Sequence, residues 1–243
     1  MKNNKQALEG IYNNALDLIL NKKLKLAENL LEKIYDSGNI NIDILNILGI
    51  IKYMYCDFYG ARKYWNESLK VSFEDNKASE FIKDIESNEF RLISQKYMDS
   101  LNLIEDKNYL KAIEILEEID KRRNELIEVK IILALLYMTI DEKDKGFKNI
   151  ERALSYDISN YKIKEIYDEI KSDLANGEDE EKEGIEEVTF SESILNLIMI
   201  LNYRINSFYE EELKYRNKEI KSLYEEIKTM NLESESLNTK NKN

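Results

Sequence analysis

Residues 45–65 read LNILGIIKYMYCDFYGARKYW and contain the features that decide the fold. In this stretch Gly49 and Ala61 are small residues among bulky apolar ones, and each has a small counterpart 34 positions away. Four pairs of small residues share this interval: Ala15 and Gly49, Ala27 and Ala61, Ser100 and Ala134, and Ala112 and Gly146. A 34-residue unit suits two helices joined by short turns, with small residues where the helices cross closely. The spacing therefore predicts a tandem array of helical hairpins.

Composition also favours helices. The chain of 243 residues has no proline and only seven glycines. Such a composition is typical of long helices with short turns and disfavours sandwiches and barrels. We expect an all-α chain that is long enough to bury a core.

The repeat resembles the tetratricopeptide repeat, whose pattern is W-x2-L-G-x2-Y, then A-x3-F, then P. The second unit carries Leu45, Leu48 and Gly49 in its first helix, followed by Ala61 and Trp65 in its second. The fourth unit has the same spacing and reads Lys130-x2-Leu133-Ala134-x2-Tyr137, then Gly146-x3-Ile150. The proline of the family pattern is missing, which predicts less rigid turns between units than is usual in the family.

A second interval of 85 positions separates Ala27 from Ala112 and Ala61 from Gly146. It predicts a solenoid over residues 1–177 made of two modules of two and a half repeats. The repeats fall at about 8–41, 42–75, 93–126 and 127–160, and the extra helices fall at about 76–92 and 161–177. Each extra helix would cover the apolar face of the last pair, as stacked arrays require.

The region after residue 177 has a different composition. Residues 178–187 hold seven acidic side chains and one lysine, so 178–189 is predicted to be an acidic linker. A long helix is expected over 190–232, partly in a coiled-coil register, with a disordered tail over 233–243. The residues predicted to mediate self-association are Ile194, Ile198, Leu201, Ile205, Ile220, Leu223, Ile227 and Met230. The alternative is that this helix folds back onto the repeats.

The resemblance also implies a binding groove, because the first helix of each tetratricopeptide pair lines the concave face. Carried over by position, the groove residues are Tyr12, Leu16, Asn46, Ile50, Tyr53, Tyr97, Leu101, Ile131, Leu135 and Met138. An apolar groove of this kind suits a peptide or an amphipathic helix. The alternative is that several of these residues are ordinary core residues. The segment Ile194–Leu201 of the same chain is a candidate ligand for the groove.

Charge and missing residue types narrow the function. The net charge of -12 repels phosphate backbones and anionic lipids, so a nucleic acid is not expected as a partner and a membrane is disfavoured. The chain has no histidine and a single cysteine, Cys56, which is predicted to be a turn residue. No P-loop, glycine-rich fingerprint or G-x-S-x-G is present. We expect no cofactor, no metal and no enzymatic activity.

The first residues lead into no apolar run of the secretory type, so a cytoplasmic protein is expected. The leading interpretation is a non-catalytic interaction module or scaffold that binds another protein or peptide and has the capacity to form homo-oligomers. The alternatives are a peptide-responsive regulator and a membrane-associated assembly factor.

Overall fold

The computed structural model describes residues 2–38 and 40–176. These residues form ten helices and no strand. The helices are α1 (Lys2–Leu20), α2 (Leu24–Asp36), α3 (Ile42–Met54), α4 (Phe58–Val71), α5 (Ala78–Ile85), α6 (Asn88–Glu105), α7 (Tyr109–Arg122), α8 (Ile127–Thr139), α9 (Lys143–Tyr156) and α10 (Tyr161–Asn176). The predicted linker 178–189, helix 190–232 and tail 233–243 lie outside the described residues.

The helices are arranged as hairpins. Four antiparallel pairs, α1–α2, α3–α4, α6–α7 and α8–α9, account for eight helices, while α5 packs on α4 and α10 packs on α9. Each module therefore consists of two pairs and one further helix. The predicted fold class, an all-α tetratricopeptide-like solenoid of two such modules, is confirmed for the described residues.

The four turns within pairs share one backbone conformation. Each turn has three residues, and the middle ones, Lys22, Cys56, Lys107 and Asp141, all have positive φ angles of 55° to 61°. In the α6–α7 turn, the Asn108 N–H donates to the Leu103 carbonyl at 2.7 Å and the Lys107 N–H donates to the Ile104 carbonyl at 3.0 Å. These bonds satisfy carbonyls at the end of the first helix, in a left-handed cap that favours glycine.

None of these four turns has glycine at the residue with the positive φ angle. Placing a glycine at that residue in one of the turns is therefore expected to stabilise the folded protein. Lys107→Gly is expected to raise the free energy of unfolding by about 0.5–1 kcal/mol, since the left-handed strain of lysine outweighs the extra freedom of glycine in the unfolded chain. The control Lys63→Gly, at an exposed position inside α4, should lower it by about 1 kcal/mol. Urea unfolding measures both values, and a loss with Lys107→Gly would contradict the prediction.

The start of the second module differs from the prediction. Helix α6 begins at Asn88, five residues before the expected unit at 93, and α5 ends at Ile85 instead of near 92. The Ser87 hydroxyl accepts a hydrogen bond from the Phe90 N–H and so caps α6. Phe90 is itself buried, so the core of the second module begins here.

The small residues of the repeat lie where helices cross. The side chains of Ala15, Ala27, Ala61, Ala112 and Ala134 are completely buried. Gly49 is closest to its neighbour, because a Cβ atom built there would lie 2.2 Å from the Nε1 atom of Trp65. The Trp65 indole N–H donates to the Asn46 carbonyl at 3.2 Å, which fixes the ring against α3. The small positions are therefore required by close helix packing, as predicted.

Candidate protein-interaction site

The structure divides the ten predicted groove residues into two groups. Six of them are buried: Tyr53, Tyr97, Leu101, Ile131, Leu135 and Met138. Three are half-buried, namely Tyr12, Leu16 and Asn46, and Ile50 is exposed. The accessible part of the predicted groove thus lies on the first helices of the first module.

The buried group includes three residues of α8. Twelve of the thirteen residues of this helix, Ile127–Met138, are buried. A helix that is buried on all sides has packing partners on all sides. In this structure, α8 therefore offers no free apolar surface to a partner.

The two modules are joined by a group of hydrogen bonds around Asp157, which we call the closure site. Asp157 is completely buried in the loop between α9 and α10. Its Oδ2 atom accepts bonds from the Lys25 N–H at 2.9 Å and from the Tyr55 hydroxyl at 2.6 Å. Its Oδ1 atom accepts bonds from the N–H and hydroxyl groups of Ser159 at 2.9 and 2.6 Å. The hydrogen-bond donors that the buried Asp157 carboxylate requires are therefore all supplied by other residues of the solenoid.

Further bonds surround Asp157. The Asn160 side chain donates to the Tyr55 hydroxyl at 3.1 Å, and the Ile158 N–H donates to the Lys22 carbonyl at 2.9 Å. Burial raises the pKa of Tyr55, and the adjacent Asp157 carboxylate raises it further. Tyr55 therefore acts as a neutral donor across the physiological range.

A second link between the modules is made by Arg123, in the loop between α7 and α8. Its guanidinium forms two bonds of 2.9 Å to the carboxylate of Asp84 in α5. The same group lies 5.7 Å from the ring centroid of Phe90, within the range of a cation–π contact. The Tyr53 hydroxyl donates to Glu125 at 3.1 Å beside it. The two parallel bonds from the Arg123 guanidinium to Asp84 fix the orientation of the Arg123 side chain.

The accessible group forms what we call the α1–α3 face, defined by Tyr12, Leu16, Ile47 and Ile50. Tyr12 and Ile47 pack against a buried cluster: Ala15, Leu31, Ile34, Ile44, Leu48 and Ile51. Burial raises the pKa of Tyr12, and the Asp43 carboxylate of α3 contributes further to this rise, so Tyr12 lies close to α3. The face is apolar, partly accessible and supported by a rigid core.

Charged residues also hold α2 and α3 together. The Lys52 ammonium lies 2.6 Å from Glu28 and 2.9 Å from Glu32, and Lys25 lies 2.5 Å from Glu28. Burial alone would raise the pKa of Glu28, but hydrogen bonds from Lys25 and Lys52 outweigh it and lower the pKa. This network fixes the spacing of α2 and α3, and α3 carries half of the face.

A buried lysine, Lys130, stands where the tetratricopeptide pattern has a tryptophan. The Lys130 ammonium donates to Asp120 at 2.7 Å and also to the Asn124 carbonyl. Asp120 in turn accepts an ion pair from Arg152 at 2.6 Å. Burial lowers the pKa of Lys130, and Asp120 partly offsets this effect. These bonds compensate for the burial of the Lys130 ammonium. Lys130 therefore stabilises the interior of the second module.

Cys56 lies in the α3–α4 turn, so its prediction as a turn residue is confirmed. Burial raises the pKa of its thiol well above the usual value, and the Glu128 carboxylate raises it further. Hydrogen bonds involving Tyr97 and Val129 act in the opposite direction without reversing the shift. The thiol therefore remains protonated and is a poor nucleophile.

We expect iodoacetamide at pH 8 to modify Cys56 at least about tenfold more slowly in the folded chain than an exposed thiol, because each unit of raised pKa removes about nine-tenths of the thiolate. The variant Ser155→Cys supplies that thiol at an exposed position of α9. Mass spectrometry of tryptic peptides follows both sites in one sample. Equal rates would contradict the raised pKa of the Cys56 thiol.

Within residues 2–38 and 40–176, no group of three or more Cys, Asp or Glu side chains is arranged to hold a metal ion. In the same part of the chain, no helix combines the length and apolar character needed to cross a bilayer. The predicted self-association residues, from Ile194 to Met230, lie outside the described residues, and their role stays a prediction.

No protein-family model matches the chain, and no curated protein matches it. Solved structures of MamA are similar to this chain, but their TM-scores are low. MamA AMB-1 has a TM-score of 0.33 and 13% identity, covering 79% of this chain and 92% of its own. The MamA RS-1 ArsTM double mutant has a TM-score of 0.33 and 15% identity, covering 82% of this chain and 97% of its own. This similarity is too weak to assign a family or a function to the chain.

Proposed function

We propose that this chain is a non-catalytic protein-interaction module that binds the apolar side of an amphipathic helix on the α1–α3 face. The observation that carries the proposal is the partial exposure of Tyr12, Leu16, Ile47 and Ile50 on two neighbouring helices. The remaining predicted groove residues of the second module are buried and are not part of the proposed surface.

The spacing of the face supports a helical ligand. Tyr12 and Leu16 are four residues apart on α1, and Ile47 and Ile50 are three apart on α3, so each pair forms a ridge along one side of its helix. The space between two parallel ridges accepts the ridge of a third helix. A ligand with apolar residues at positions i, i+3 or i+4, and i+7 has the matching shape.

The chemistry of the described residues supports a binding function over catalysis. The charged side chains of the interior, Glu28, Lys52, Asp120 and Lys130, are held in ion pairs that stabilise helix packing. The Cys56 thiol is protonated, as its raised pKa indicates.

The test is a selection of random peptides displayed on phage, with the full chain as bait. We expect selected peptides to share apolar residues at helical spacing and to bind Ile50→Glu at least about tenfold more weakly, a loss of about 1.4 kcal/mol. The matched control is Leu92→Glu, at an exposed apolar position of α6 outside the face. Equal binding to both variants, or peptides without helical spacing, would exclude the α1–α3 face as the site.

A further inference from the structure

The closure site creates a surface that neither module has alone. The Ile158 N–H donates to the Lys22 carbonyl at 2.9 Å, and the Leu26 N–H donates to the Ser159 hydroxyl at 3.3 Å. These bonds join the α1–α2 turn and the start of α2 to the α9–α10 loop across more than 130 positions of sequence. Residues that flank the two segments therefore become neighbours.

Four of the flanking residues are large, apolar and exposed. Leu20 is 79% exposed, Tyr161 67%, Ile158 48% and Leu26 45%. Leu26 and Ile158 take part in the joining bonds, while Leu20 and Tyr161 each lie two residues from a bonded residue. Apolar side chains concentrated at one place on a surface are typical of a docking site.

The same two segments carry basic side chains. Lys22 and Lys23 lie in the α1–α2 turn, and Lys162 and Lys164 lie in the first turn of α10. No ion pair within residues 2–38 and 40–176 engages these four lysines. We call the four apolar residues and the four lysines together the junction patch. Its partner should combine acidic and apolar groups.

One segment of the same chain has this composition in the required order. Residues 178–187 contain seven acidic side chains and one lysine, and residues 194–200 read ILNLIMI. Among the candidate occupants of an apolar and basic patch, this segment has the advantage of being covalently tethered to it. Tethering raises the effective concentration to the millimolar range.

The length of the chain permits this docking. Helix α10 begins at Tyr161, beside the patch, and its 16 residues span about 24 Å to Asn176. The 17 residues from 177 to 193 reach about 56 Å when extended. The segment is thus long enough to return along α10 and place residues 194–200 at the patch.

We propose that residues 178–200 dock on the junction patch of their own chain, with acidic side chains against the lysines and Ile194–Ile200 over Leu20, Leu26, Ile158 and Tyr161. The docked segment covers both sides of the closure site and so keeps the two modules together. This proposal uses no residue of the α1–α3 face and is independent of the proposed function.

Disulfide trapping in the full chain tests the proposal. The pair Leu26→Cys and Ile198→Cys is expected to form an intrachain disulfide at least about tenfold faster than the pair Leu110→Cys and Ile198→Cys, because only the first pair is held together by docking. Leu110 is the matched control, since it is an exposed leucine at the start of α7 as Leu26 is at the start of α2. Cys56 is present in both variants, and its thiol, whose pKa is raised, affects both equally.

Charge reversal separates docking from accidental contact. Adding Lys22→Glu, Lys23→Glu and Lys162→Glu to the first pair is expected to slow trapping several-fold at low salt, because the acidic run is then repelled. Three results would overturn the proposal: equal trapping rates for the two pairs, a disulfide that joins two chains, or a rate that charge reversal leaves unchanged. The mass of the oxidised product distinguishes intrachain from interchain bonds.

Discussion

Asp157→Ala is expected to lower the free energy of unfolding by about 3–5 kcal/mol, because it removes the acceptor at the centre of the closure site. The alanine leaves the Lys25 N–H and the Tyr55 hydroxyl, both partly buried, without their partner. Each buried donor without an acceptor costs about 1–3 kcal/mol. Urea unfolding monitored by circular dichroism measures the loss.

Two further variants make this prediction specific. Asp157→Asn keeps one oxygen acceptor but replaces the other with a donor, so its loss should lie between zero and that of alanine. Ser72 occupies the same repeat position in the first module, 85 residues earlier, and Ser72→Ala should change stability by less than about 0.5 kcal/mol. If Asp157→Ala costs no more than Ser72→Ala, the closure site does not hold the modules together.

A double-mutant cycle with Tyr55→Phe identifies the bond that crosses between modules. The loss from Tyr55→Phe should be small once Asp157 is alanine, because the bond at 2.6 Å is already gone. We expect an interaction energy of about 0.5–3 kcal/mol between the two positions. Additive losses would mean that the Tyr55 hydroxyl does not depend on Asp157.

Features within one repeat could be predicted from the sequence because they rest on local geometry. A close helix crossing needs a small residue at a fixed place in each hairpin, so Ala27 and Ala112 recur at matching positions. The turns recur for the same reason, with Lys22, Cys56 and Asp141 at the same point of three hairpins. Such signals depend only on neighbours a few residues away.

The closure site could not be predicted in this way. Asp157 and Tyr55 are 102 residues apart, and neither belongs to a recognisable motif. Their contact depends on the accumulated rotation of the six helices between them, α4 to α9, and small changes in each crossing angle alter that rotation. The sequence contains one indirect signal that the groove interpretation passed over. The run IILALLYM at 131–138 has no polar side, and a helix of this kind is expected to be buried all round.

Gly49→Ala is expected to lower the free energy of unfolding by about 2–4 kcal/mol. The new methyl group would lie 2.2 Å from the Trp65 Nε1 atom, and Trp65 is only 2% exposed, so the ring has little room to move. Overpacking of this kind typically costs about 1–3 kcal/mol, and the lost bond to the Asn46 carbonyl adds to it. Gly10→Ala is the control, because nothing lies within 4 Å of a Cβ atom at this position of α1. It should stabilise the helix by about 0.5–1 kcal/mol.

The second module suggests a compensating change. The positions that correspond to Gly49 and Trp65, 85 residues later, hold Ala134 and Ile150, so a larger residue on one helix accompanies a smaller one on the other. Trp65→Ile alone should be destabilising, since it leaves a cavity beside Tyr53 and Phe81. The double variant Gly49→Ala with Trp65→Ile should lose at least about 1 kcal/mol less than the sum of the single losses. It should still be less stable than the natural chain, because the aromatic contacts of Trp65 are not restored. Strictly additive losses in urea unfolding would contradict the view that the two helices are matched by size at this crossing.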